Sequence, residues 1–298
     1  MSTDIIIVHY QNLEDTKRCI ESLSNLVEAD FNIIIVDSAS PNKTGEKLKT
    51  ENIKLILLEE NKGFAYACNK GIEQSSADYI WLLNPDTTVE PMALIELIKA
   101  NKANKDILAF GSKVLYGDSK EKIWSAGGRI DLANLEVSMI GNMEDANTSY
   151  LENHFCDYLP GCSIFAKAKV FKKYKLPEHY FMYFEETDWC YSLSKSPLKH
   201  KLMYVSNSVV YHHTKDDKMQ SVFHIYYYNR NSLFFWFKHS EFSSKLKIYL
   251  KTLLVSLPRS VYAYYKANSQ KLENRTVFKA HVLSYIDFLL FKNSKKRY

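Results

Sequence analysis

The five cysteines, Cys19, Cys68, Cys156, Cys162 and Cys190, are odd in number and include no Cys-x-x-C pair. That pattern excludes a disulfide framework and a ribbon-type zinc site, and it reads as reduced thiols in a cytosolic protein. No apolar run approaches the ~18 residues that span a bilayer. Asp4 and a strand-like run follow Met1 without a basic-then-apolar leader, so no secretory signal is expected. There is no internal repeat. No long, glycine-rich basic loop follows the first strand-like segment, which argues against a nucleotidyltransferase that cradles a triphosphate. No nucleic-acid-reading motif accompanies the basic residues, so nucleic acid is not an expected partner.

What is present is an ordinary globular composition, 46% hydrophobic and 24% charged over 298 residues. This is enough for one large domain, or a domain with an appendage. The net charge of +5 hides an asymmetry. From Lys238 onward there are 13 Lys and Arg against three acids, Glu241, Glu273 and Asp287, while the preceding 237 residues are slightly acidic. A basic tail on an acidic body predicts that the tail faces something anionic.

The first half alternates strand and helix signals. Asp4–Val8, Phe31–Val36, Ile53–Leu58 and Tyr79–Leu83 are short apolar runs suited to strands buried on both faces. Between them lie a helix capped by Asn12 and running to about Leu26, and another over 63–74; Pro91 opens a further helix to about Ala100. Ile107–Phe110 is one more apolar run. The rhythm predicts an α/β fold, a Rossmann-like, mainly parallel sheet with helices on both faces. Residues 112–160 carry turn signals and no long periodic segment. Gly161–Ala166 reads as a strand, Glu185–Ser194 as a helix, and Leu202–Val205 and Val209–His213 as separate extended segments. From Met219 the chain turns helical and aromatic; a basic amphipathic stretch over 245–266 is kinked near Pro258, and a helix over 276–291 precedes the Lys295-Lys296-Arg297 end.

The chemistry concentrates at predicted strand ends. Tyr79–Leu83 runs into Asn84-Pro85-Asp86, where Pro85 stops the strand and holds Asp86 at its tip. In an open α/β sheet that edge borders the ligand crevice. A lone carboxylate there can hold a divalent cation that also touches a diphosphate; alone, the tripeptide is equally a turn and helix cap. Asp37 follows the second strand and can accept from a base N–H or ribose hydroxyl, or it can cap an Asx turn. Gly63 opens a helix where backbone N–H groups suit a phosphate. Glu185, Glu186 and Asp188 bring three carboxylates within four residues. Glu185 and Asp188 share a helical face and Glu186 points about 100° away. They form either an acidic first turn or a source of a general base. His212 ends an extended segment and could complete a metal site with one carboxylate.

Taken in order, these segments resemble the family 2 glycosyltransferases of the GT-A fold, especially the rhamnosyltransferase-like bacterial members. The matching pieces begin with Ile7-Val8-His9-Tyr10-Gln11-Asn12, Val36-Asp37-Ser38-Ala39-Ser40 and Asn61-Lys62-Gly63-Phe64 with Asn69-Lys70-Gly71. They continue through Leu83-Asn84-Pro85-Asp86-Thr87, Ser125-Ala126-Gly127-Gly128, Gly161-Cys162, the Glu185–Cys190 run, His212 and Tyr228-Asn229-Arg230-Asn231. The resemblance implies donor contacts at Tyr10, Asp37, Gly63, Asn69, Asn84, Asp86 and Arg230, and acceptor contacts at Gly127, Gly128, Glu185 and Trp189. It implies a divalent cation, Mg or Mn, at Asp86 with His212 nearby. Glu186 falls where the family usually has the catalytic aspartate of a Glu-Asp-x-Asp run; this departure leaves Glu186 and Asp188 as alternatives for the base.

The expected protein is therefore an inverting, metal-dependent glycosyltransferase in bacterial surface polysaccharide synthesis. It would use a UDP- or dTDP-sugar and a glycan or lipid-linked acceptor. A nucleotidyltransferase and a catalytically degenerate binding module are the alternatives. The expected division is a transferase domain over 1–237, with a nucleotide-sugar half at 1–111 and an acceptor half at 112–237, followed by a basic helical extension over 238–298. For that extension, attachment to an anionic membrane face and packing in a homo-oligomer are both open readings. The expected location is the cytoplasm, peripheral to the membrane in the first case.

Overall fold

The structure, a computed structural model, describes residues 2–27, 29–195, 201–213, 221–267 and 272–293. The Lys295-Lys296-Arg297 end and the helical onset expected at Met219 lie outside the described residues. Packing divides the chain into two compact units: Met1–Ile130, Val137–Glu178 and Glu186–Thr214 in the first, and Asp131–Glu136, His179–Glu185 and Lys215–Tyr298 in the second.

The apolar runs of the first half form β1 (Thr3–His9), β2 (Phe31–Asp37), β3 (Ile53–Leu57) and β4 (Tyr79–Leu83). They pair in parallel in the order β3-β2-β1-β4, with Ile5 opposite both Ile33 and Trp81. Two helices occupy the connections, α1 (Leu13–Leu23), whose Asp15 N–H is capped by the Asn12 side chain, and α2 (Phe64–Glu73), which starts at Gly63. Alternation along β1 divides the core. Ile6 and Val8 pack with Ala67, Cys68 and Ile72 of α2, while Ile5 and Ile7 pack with Cys19 and Leu23 of α1. Helices therefore cover both faces.

Beyond β4 come β5 (Thr87–Val89), α3 (Ala93–Ala103), β6 (Ile107–Tyr116), β7 (Ile123–Ser125), β8 (Gly128–Asp131), β9 (Glu136–Met139), β10 (His154–Cys156), β11 (Ser163–Lys167), α4 (Ala168–Lys173), α5 (Glu185–Ser194) and β12 (Lys201–His212). β11 runs antiparallel between β4 and β6, and β12 lies parallel to β6. Trp81, fully buried, seals this junction by donating its indole N–H to Ser163 Oγ at 2.9 Å. Truncating such a side chain costs about 3–5 kcal/mol. Two expectations change here. The segments at 202–205 and 209–213 are one strand, its register shifted between Val205 and Val209. The supposedly loose stretch after Gly111 begins with the continuation of β6 to Tyr116 and carries four further short strands. A bulge and three- or four-residue strands leave little periodicity to read.

The second unit is built on α6 (Val222–His239), α7 (Phe242–Lys251), α8 (Leu257–Ala267) and α9 (Leu272–Leu289). Its core is aromatic: Phe181, Tyr226 and Tyr227 pack with Ile225 and Ala280, and Phe234 and Phe237 meet Phe288 edge-on at 5.3 and 5.9 Å. α6 thus groups with the basic helices, whereas the sequence boundary was expected after residue 237. Among the described residues, no helix is long and apolar enough to cross a membrane.

Candidate active site

The tip of β4 is held from both sides. Asn84 still donates its N–H to the Cys162 carbonyl at 3.2 Å, while its own carbonyl accepts from the Thr87 hydroxyl at 2.7 Å and the Cys19 thiol at 3.6 Å. The sheet carries β12 to the same edge, where His212 stands opposite Thr87 in the β5 pairing. The Asp86 carbonyl accepts from the His213 N–H at 2.8 Å, and Asp86 Oδ1 lies 3.3 Å from His212 Nε2. Trp124 meets the His212 ring edge-on at 4.7 Å between centroids. Burial works to raise the Asp86 pKa, but the His212 contact and charge, the backbone N–H of Asp86 and the charge of His213 outweigh it, so the carboxyl is held below its ordinary value. Asn84 Oδ1 and His212 Nδ1 are buried and make no hydrogen bond, and Asp86 Oδ1 has only the 3.3 Å contact to His212 Nε2.

Beside this tip runs Gly161-Cys162, with Glu186 of α5 over it: a Cβ on Gly161 would stand 3.5 Å from Glu186 Cγ. The Cys162 thiol is pushed well up, first by burial and then by the charges of Asp86 and Glu186, which places both carboxylates near it. Glu186 is partly exposed, yet desolvation raises its pKa; the N–H groups of Glu186 and Thr187 and the Thr187 hydroxyl offset this only in part. Asp188 is fully buried and accepts from the Ser192 hydroxyl at 3.2 Å. Glu185 is buried as well.

A second cradle forms after β2. Asp37 Oδ1 accepts from the Ser40 N–H at 3.2 Å and from the Ser40 hydroxyl. A Cβ on Gly45 would fall 2.5 Å from Asp37 Cγ, so only glycine lets this turn close. His9 lies behind, bonded to Thr16 at 2.8 Å and Thr44 at 3.0 Å; burial lowers its pKa against the opposing charge of Asp37. Tyr10 projects at the end of β1, 45% exposed. Gly45 escaped the sequence reading as a site-shaping residue, and Ser40 entered it only as the end of the segment that begins at Val36. The signal available was an isolated glycine eight positions past a strand-end aspartate, which is weak.

The remaining candidates separate by how they are used. Gly63 adopts φ +100° at the start of α2 and its N–H donates to Asn61 Oδ1 at 2.9 Å. Asn69 is buried, with its amide bonded to the Leu176 carbonyl (2.9 Å), the Leu176 N–H (3.1 Å) and Glu178 (2.8 Å). At Gly127 and Gly128 a Cβ would fall 2.9 Å from Cys156 and 1.8 Å from the Tyr158 ring. Trp189 stacks on Phe171 at 5.1 Å and donates to the Tyr174 carbonyl at 2.6 Å, a core position. In the second unit, Arg230 is fully buried; it donates to the Tyr180 carbonyl at 3.0 Å, to Asn231 Oδ1 and to the Tyr226 hydroxyl, and stacks on Tyr227.

The residues at the β4 tip fit a hard cation. Asn84 Oδ1 and His212 Nδ1 are buried there without hydrogen-bond partners beside the Asp86 carboxylate, and buried polar atoms are nearly always paired. Among the described residues no group of three His, Cys, Asp or Glu side chains gathers to cage a metal, so any ion held by Asp86 and His212 would share its coordination with other ligands.

The arrangement of sheet and helices is that of GT-A glycosyltransferases. Similar solved structures include GalNAc-T7 with UDP, GalNAc and Mn2+ (TM-score 0.63, 13% identity, 98% of this chain and 57% of that one) and the mannosyltransferase PcManGT from Pyrobaculum calidifontis with GDP-Man and Mn2+ (TM-score 0.58, 10% identity, 97% and 87%). At these identities the likeness shows the fold. Residues 4–173 match Glycosyl transferase family 2, and the chain belongs to that family. The poly-beta-1,6-N-acetyl-D-glucosamine synthase of Staphylococcus epidermidis is 31% identical over 103 residues, 32% of this chain and 25% of that one. The chain thus spans about a quarter of that relative's length.

Proposed function

We propose that this chain is an inverting, divalent-metal-dependent glycosyltransferase that moves a hexosyl or rhamnosyl unit from a UDP- or dTDP-sugar to a hydroxyl of a glycan or lipid-linked acceptor in bacterial surface polysaccharide synthesis, in the cytoplasm. The observation that carries the reading is the β4 tip, where the Asp86–His212 pair and the unpaired buried atoms Asn84 Oδ1 and His212 Nδ1 lie beside the turn overlain by Glu186.

Asp37, held in place by Ser40, would accept from the donor's base or ribose, with Tyr10 beside it. The N–H groups that open α2 after Gly63 suit the diphosphate. Asp86 and His212 would hold the metal, Mg or Mn, which when bound neutralises the leaving diphosphate. Glu186 is our choice of base: the residue is partly exposed and its raised pKa favours taking a proton from an acceptor hydroxyl, whereas Asp188 is enclosed and bonded to Ser192. With one base and no second nucleophilic carboxylate assigned, displacement is a single step with inversion. The backbone at Gly127 and Gly128 and the start of α5 at Glu185 are proposed on the acceptor side, with Trp189 anchoring α5 from the core.

Calorimetry with UDP-, dTDP-, GDP- and CMP-sugars, each with and without manganese, tests this. The expected result is binding of one donor class at least tenfold tighter with metal. A folded protein that binds none of them overturns the proposal.

A further inference from the structure

The basic extension contains a face that the transferase reading does not use. α7, a wide turn at residues 252–256 and α8 follow one another without a break from Phe242 to Ala267. Pro258 has no N–H to offer the Leu254 carbonyl, and the chain answers with a π-type bond from the Leu257 N–H to the Thr252 carbonyl. Phe242, Leu246, Leu250, Leu254 and Tyr262 recur at multiples of four residues, joined by Tyr265; all six are between 41% and 83% exposed. In a regular α-helix a four-residue repeat drifts by about 40° per step. The wide turn winds fewer degrees per residue and takes back much of that drift, so the apolar stripe stays on one side. Ile248 and Thr252 occupy the inward side and are buried.

Cations border this stripe. Lys247, Lys251 and Arg259 are exposed, and between Phe242 and Ala267 there is no acidic residue to pair with them. An exposed apolar stripe bordered by unopposed cations and ending in tyrosines is the composition of a helix lying in a lipid headgroup layer. The helix is too polar to span. We propose that this face docks on the surface of an anionic phospholipid bilayer, with the helix in the plane of the membrane. The bilayer accounts for both features at once: acyl chains receive Leu246, Leu250 and Leu254, and lipid phosphates supply the charge that the chain lacks. A second copy of the chain would bury the apolar stripe but bring no acid from this segment to the cations.

The test is co-sedimentation of the full chain with vesicles of phosphatidylcholine alone, and with a third of the lipid replaced by phosphatidylglycerol. It requires no donor, metal or turnover, so its outcome is independent of the transferase proposal. Roughly tenfold or greater preference for the anionic vesicles is expected, weakening with added salt. The double variant Leu246→Asp, Leu254→Asp should lose binding to both vesicle types. The triple variant Lys247→Gln, Lys251→Gln, Arg259→Gln should lose only the anionic preference. All substituted positions are exposed, so unchanged thermal unfolding checks that each variant folds. Absence of binding, or equal binding to both vesicles, overturns the proposal. So does a concentration-dependent oligomer that the Leu246→Asp, Leu254→Asp variant dissolves, in a protein that leaves vesicles in the supernatant.

Discussion

The β4 tip and the Arg230 node are both buried, both polar and both drawn from segments that resemble family motifs, yet they differ in one physical respect. At the node every guanidinium nitrogen has a bond, and Asn231 donates to the Tyr180, Met182 and Tyr183 carbonyls at 2.9, 2.7 and 3.0 Å. Those carbonyls belong to a segment in which Phe181, Tyr183 and Phe184 all have φ near +70°. Such residues each cost on the order of 1 kcal/mol or more and persist only where neighbours fix them. At the tip, the Asn84 side-chain oxygen and a His212 ring nitrogen are left unpaired instead, beside the Asp86–His212 contact. A satisfied buried polar group holds the fold together; an unsatisfied one spends stability, and a bound ligand can return it.

The sharpest way to break this contrast is at Asp86. Asp86→Ala should reduce turnover by about 10^2- to 10^3-fold or more, while the protein without metal still folds, melting slightly lower because the contact to His212 is lost. The rise in melting temperature on adding manganese should vanish with it. A variant that keeps both turnover and the manganese shift would place the metal elsewhere.

Glu186→Gln should cost about 10^2- to 10^4-fold in turnover with donor binding retained. Its pH behaviour is a separate check. The folded pKa of Glu186 is raised by burial, so its contribution to stability is complete below the unfolded pKa and lost as pH rises through the folded value. Glutamine should therefore be the more stable at neutral pH, with the advantage closing in acid. In the wild type, the acid limb of turnover should sit above the range of an ordinary glutamate. If Asp188→Asn removes turnover and Glu186→Gln does not, the base is Asp188.

At the other pole, Arg230→Met should destabilise by about 3 kcal/mol, read from denaturant midpoints, because it removes the bonds to Tyr180 and Tyr226 together. The molecules that remain folded should bind donor normally. Weakened donor binding at unchanged stability would mean that Arg230 contacts a ligand after all.

Sequence pattern carried the parallel half of the sheet well. The apolar runs of β1 to β4 fall within a residue or two of their observed bounds; β1 and β4, buried on both faces, leave a continuous signal, whereas β3, expected to be buried as well, ends the sheet order with Leu57 half exposed. Asp37 and Asp86 were visible for a related reason, since each ends such a run. Burial was not visible. Nothing in the local spelling separates Glu186 from Asp188, or shows that Trp189 stacks on Phe171 inside the core, because α5 acquires its inner side only from tertiary packing. The antiparallel insertion of β11 and the bulge in β12 were equally hidden, as partner choice and register depend on strands far away in the sequence.

Asn69 tests the contrast within the transferase unit itself. Like Asp86, it stands in a segment that resembles a donor-binding motif, but its amide is spent on Leu176 and Glu178, more than a hundred residues along the chain. If satisfaction marks structure, Asn69→Ala should cost about 1–2 kcal/mol by stranding the Leu176 N–H, with donor affinity unchanged. The Asn69→Asp variant sharpens the point: it keeps an acceptor for that N–H but sets a carboxylate against Glu178, so it should lose stability too and become more stable as the pH falls and the pair takes up a proton. A drop in donor affinity in Asn69→Ala at unchanged melting temperature would break the rule where it is most exposed, because it would show a fully paired buried amide acting on the ligand.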